Sequence, residues 1–107
     1  MPNLKILKED KKAKSTSFFF TKESEVFNFN HVKFLENYFY KKKKDIRICL
    51  HTTKESKHHD MIILQQKRNF YLPHKHLKKG ETYHIIKGAM ICLLFNNSGK
   101  IKKICKL

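Results

Sequence analysis

The hydrophobic positions of this chain change period near Asp45. Ahead of that point Val32, Leu35 and Phe39 recur at helical spacing, with Phe34 and Tyr38 beside the stripe. The pattern predicts a helix near residues 31–41 with Asn30 as its N-cap. The lysines at 41–44 then suit the negative end of the helix dipole. Phe18–Phe20 and Val26–Phe29 are short aromatic segments suited to strands. Beyond Asp45 the period shortens, and strands are predicted over 46–50, 61–66, 70–76 and 81–86. Ala89–Phe95 is continuously apolar, as in a strand buried on both faces or a tight barrel stave. Asn96-Asn97-Ser98-Gly99 marks a hairpin turn, and residues 100–105 return as the last strand. The expectation is an all-β, antiparallel sandwich or barrel with a short N-terminal helix. Residues 1–16 are charged and aperiodic, and are expected to form a basic N-terminal arm, mobile or loosely attached as a strand, ahead of a single domain over 17–107.

Composition adjusts this picture modestly. The chain has 107 residues, and its hydrophobic fraction of 40% suffices for one small core. Three Gly and two Pro are few for a barrel rich in tight turns. The net charge of +15 favours anionic partners, among them nucleic acid, phosphorylated sugars and anionic surfaces. That charge is spread between a lysine-rich start and the run at 41–44, with no nucleic-acid-binding motif, so nucleic acid is disfavoured and a small sugar-like or anionic ligand preferred. Cys49, Cys92 and Cys105 lack metal-finger spacing, and an odd count without a secretory signal suits a reducing cytoplasm. No apolar run approaches the roughly 20 residues of a membrane span, so no membrane association is expected.

The candidate chemistry lies between Pro73 and Gly88. On a strand His74 and His76 would share one face, and a short turn containing Gly80 would bring Glu81 alongside. Two imidazole nitrogens and a carboxylate oxygen form a donor set for a divalent Zn, Mn, Fe or Ni ion. Tyr83 shares the face of Glu81 and is a candidate pocket-lining residue, whereas strand parity turns His84 away. Arg47 and His51 alternate with Ile46, Ile48 and Leu50, and together could open on a pocket. No catalytic base can be named.

The spacing His74-x-His76-x(4)-Glu81-x(6)-Gly88 resembles the first motif of the cupins. The surrounding stretches sharpen that likeness: Arg47–His51, His59–Ile63, Pro73–His76, Glu81–Gly88 and Leu93–Ile101 resemble the WbuC family of cupin-fold metalloproteins from about Val26 onward. The resemblance implies a jelly-roll β-barrel or sandwich and a metal-binding role in surface-polysaccharide (O-antigen or capsule) biosynthesis, with a nucleotide-linked or other sugar as ligand. Two departures stand out. Arg68 occupies the place of the usual leading Gly, and the second cupin motif, which supplies a further His, is absent before Leu107. The barrel is therefore expected to be incomplete at the C-terminus, with exposed edges that permit a homodimer. Alternative expectations are a non-catalytic module for a sugar or small anion, and a truncated cupin without metal.

Overall fold

The computed structural model describes residues 7–22, 25–67, 69–78 and 80–107. These described residues form six strands in two sheets and one α-helix, a mostly β architecture. The chain divides into two compact units, Met1–Asn69 and Phe70–Leu107.

In the first unit β1 (Leu7–Glu9), β2 (Thr16–Phe20), β3 (Ile46–Cys49) and β4 (Met61–Leu64) form a sheet in the order β1-β2-β3-β4. β1 pairs antiparallel with β2, placing Leu7 opposite Phe20, and Leu7 enters the core. Residues 7–9 of the basic N-terminal stretch are thus an edge strand, while residues 1–6 lie outside the described residues. β2 and β3 run parallel, with Ser17 opposite Arg47 and Phe18 opposite Ile48. This pairing departs from the antiparallel expectation. Parallel neighbours need a long crossover, and α1 (Phe29–Lys42) supplies it. β4 then returns antiparallel beside β3, with Cys49 opposite Met61.

Strand parity sorts the sheet into two faces. Phe18, Phe20, Ile46, Ile48, Ile62 and Leu64 meet Leu35, Phe34, Tyr38 and Phe39 of α1, forming the core. Phe18 packs edge-on against the rings of Phe34 and Tyr38, at centroid distances of 5.0 and 5.8 Å. The opposite face carries Ser17, Phe19, Arg47, Cys49, Met61 and Ile63.

The helix cap lies two residues earlier than expected. Asn28, not Asn30, is the N-cap: its backbone is extended, and its Oδ1 accepts the Asn30 N–H at 2.9 Å. His31 Nδ1 accepts the Asn28 N–H at 3.0 Å, the part usually taken by Glu or Gln in a capping box. The earlier start consumes Phe29, so the strand expected over Val26–Phe29 does not form. His31 also occupies a core position, stacked on Phe27 and edge-on to Phe20 at 5.3 Å each. At the other end Lys43 adopts the left-handed conformation (φ 53°), and its N–H donates to the Phe39 carbonyl at 2.8 Å.

In the second unit β5 (Ile91–Phe95) pairs antiparallel with β6 (Ile101–Lys106). The turn forms as the sequence predicts. Asn96 Oδ1 accepts the N–H groups of Ser98 and Lys100 at 3.0 Å each, and Gly99 has φ 83°. The ribbon is not buried on both faces, however: Ile91 is 64% exposed and Leu94, of opposite parity, 49%. A two-stranded ribbon brings no second layer of its own to cover either face. The strands expected over 70–76 and 81–86 are absent too, since the described residues between 70 and 90 lie in neither strand nor helix. Pro73 withholds a ladder donor there, and β5 and β6 pair with each other.

Candidate metal motif and basic cleft

The residues singled out by the sequence fall in two places, one in each unit. His74, His76, Glu81 and Tyr83 lie on the irregular stretch of the second unit. His76 Nε2 is 2.6 Å from Glu81 Oε1, and the Tyr83 hydroxyl donates to Glu81 Oε2 at 2.5 Å. That hydrogen bond, followed by partial burial and the carboxylate charge, pushes the Tyr83 phenol up to about 12. The ring of His74 stands edge-on to His76 with centroids 5.1 Å apart. Its Nδ1 is 3.1 Å from the Leu72 carbonyl oxygen. A carbonyl can only accept, so Nδ1 carries the proton and a neutral His74 keeps its lone pair on Nε2.

The structure therefore brings together His76, Glu81 and Tyr83, and sets His74 beside them. Among the described residues no group of three or more His, Cys, Asp or Glu side chains is arranged to hold a metal ion. His84 is exposed and takes no part in these contacts. The motif glycine has a conformational role: Gly88 has φ 92°, while a Cβ there would meet nothing within 4 Å. Backbone shape, not space, calls for glycine at that bend. Arg68, the position of the usual leading Gly, lies outside the described residues.

Arg47 and His51 lie in the first unit, on the sheet face away from α1. They line a cleft of about 310 Å³ with Ser17, Phe19, Cys49, Lys54, His59 and neighbours from the β1–β2 turn. Arg47 Nε donates to Ser17 Oγ at 2.6 Å, and Nη1 lies 3.7 Å from Met61 Sδ. His51 Nδ1 is 3.2 Å from both the amide nitrogen and the carbonyl oxygen of Asp60. His51 and His59 stack with centroids 4.1 Å apart. Burial, partly countered by Arg47, raises the pKa of the Cys49 thiol. It stays protonated and is no nucleophile at neutral pH.

Sequence reasoning singled out Arg47 and His51 by alternation but gave Ser17, Lys54 and His59 no role. Ser17 reaches Arg47 only through the parallel pairing of strands thirty residues apart. His59 reaches His51 only through the β3–β4 register. Neither register leaves a local signal in the sequence.

A family model described as a domain of unknown function (DUF6016) matches residues 41–107, more than half of the chain. The chain belongs to that family. The DUF6016 match spans β3, β4 and the whole second unit, and so includes Arg47, His51, His59, His74, His76 and Glu81. β1, β2 and all but the last two residues of α1 precede it. No curated protein and no solved structure matches the chain. No helix among the described residues is long and apolar enough to cross a membrane.

Proposed function

We propose that this DUF6016 protein is a small metal-binding domain related to the WbuC-type cupins, with His74, His76 and Glu81 as the ligands of a divalent ion. The observation that carries the reading is the 2.6 Å contact between His76 Nε2 and Glu81 Oε1, with His74 alongside. The Leu72 carbonyl supports it, because an imidazole holding its Nδ1 proton on a backbone oxygen presents Nε2 to a metal. The donor set suits Zn, Mn, Fe or Ni. A bound ion would act as a Lewis acid on a carbonyl or hydroxyl of a small sugar-like ligand in surface-polysaccharide synthesis. Tyr83 would orient the Glu81 carboxylate through its hydroxyl.

One observation favours a second reading, a metal-free module that holds a sugar or anion without catalysis. The Tyr83 hydroxyl already donates to Glu81 Oε2. Calorimetry with Zn, Mn, Ni and anaerobic Fe(II) separates the two readings. The metal reading expects binding that weakens about tenfold or more on His74→Ala or Glu81→Gln. It also expects affinity to fall as the pH is lowered, because protonated imidazole cannot ligate. Absence of binding to the unsubstituted chain would overturn the metal reading and favour a metal-free or truncated cupin. Binding indifferent to either substitution would place the ion elsewhere.

A further inference from the structure

We propose that the cleft on the open face of the first unit's sheet is a binding site for the phosphoryl group of a small phosphomonoester, gripped by Arg47 and Lys54. The site is independent of the metal motif.

Charge is the first reason. Lys14, Arg47 and Lys54 line the cleft against one carboxylate, Asp10. That carboxylate is engaged locally: Oδ1 accepts the Lys12 N–H at 3.1 Å, and Oδ2 lies 3.9 Å from Lys54 Nζ. A dianion restores the balance; a neutral sugar does not.

The second reason is how Arg47 is held. A guanidinium has five N–H donors in a rigid fork. One of them is fixed by Ser17 Oγ, and Ser17, only 2% exposed, is itself oriented by donating to the Ser15 carbonyl at 3.0 Å. A second meets only the weak acceptor Met61 Sδ. No carboxylate stands within ion-pair distance of Arg47 among the described residues. The fork is thus anchored at Nε while most of its donors remain unspent, and the paired N–H groups of such a fork match the oxygens of a phosphoryl group.

The walls agree. His59 stacks on His51, and its buried Nε2 has no hydrogen-bond partner among the described residues. Such an atom calls for a partner that the fold itself does not supply. The volume of about 310 Å³ accommodates a phosphoryl group with a small organic substituent. Phe19 and Met61 offer that substituent an apolar surface.

The test is calorimetric titration of the full chain, in EDTA, with a hexose 1-phosphate, inorganic phosphate and the unphosphorylated hexose. The ester and inorganic phosphate should bind and the neutral sugar should not. Arg47→Met should weaken ester binding about tenfold or more, and Lys54→Met about threefold. Lys103→Met, on an exposed position of β6, should leave it unchanged. Circular dichroism reports whether Arg47→Met still folds; if it does not, Lys54→Met decides, since Lys54 is 65% exposed and supports no core. Failure of the ester to bind, or equal losses in the Lys54 and Lys103 variants, would overturn the site. EDTA keeps this outcome separate from that of the metal reading.

Discussion

β3 and β5 are both apolar strands, yet their fates differ. Ile46, Ile48 and Cys49 of β3 are buried at 2% exposure or less. In β5, Ile91, Leu93, Leu94 and Phe95 remain between 39% and 64% exposed. The difference lies in neighbours, not hydrophobicity. β3 has a strand on each side and α1 across one face, whereas β5 has β6 as its strand partner. A strand is buried by the layers its topology brings, and a hairpin brings none.

The largest expected effect tests that contrast directly. Ile48→Ala should cost roughly 2–5 kcal/mol of stability, and Leu94→Ala less than about 1 kcal/mol. Hydrogen exchange resolved by residue in urea would measure both within their own units; equal costs would break the comparison. Next is the helix start, where Asn28→Ala should cost about 1 kcal/mol while Asn30→Ala costs much less. Urea midpoints of the two variants would reverse in order if Asn30 were the true cap.

Lys43→Gly should stabilise the first unit by up to about 1 kcal/mol, because glycine adopts the left-handed cap without a Cβ penalty. A shift of the urea midpoint to higher concentration reports it. The smallest effect is a pH dependence. Burial lowers the pKa of His31, and nearby Glu25 partly offsets that shift. The unfolded chain therefore binds the proton more readily than the folded one. Stability should be full above the ordinary histidine value of about 6.5 and decline below it. Midpoints measured across that range should show the decline, and His31→Leu should flatten it.

The elements set by local pattern were legible. The helix, the strands within 46–50 and 61–66, the 89–95 and 100–105 strands and the Asn96–Gly99 turn all show in residue spacing. Elements that depend on remote partners were not. The parallel β2–β3 pair has no local signature, and a strand was expected over Phe70–His76 where no partner strand pairs with it. The cap falls on Asn28, and not on the expected Asn30, because Asn28 Oδ1 accepts the Asn30 N–H while the His31 ring accepts the Asn28 N–H. At the candidate sites, spacing drew attention to His74, His76 and Glu81, and alternation to Arg47 with His51. It could show neither the hold of Tyr83 on the second Glu81 oxygen nor the anchoring of Arg47 by Ser17.

The parallel pairing of β2 with β3 also governs when the chain can fold. β5 and β6 close across one tight turn, a local event on the microsecond scale. Phe18 and Phe20 must instead wait for the helix and then for Ile46 and Ile48, whatever order the ribosome releases them in. During synthesis the earliest aromatic segment is thus the one left longest in water. On its N-terminal side Lys8, Lys11, Lys12 and Lys14 outnumber Glu9 and Asp10, and net charge beside an apolar segment disfavours association between nascent chains.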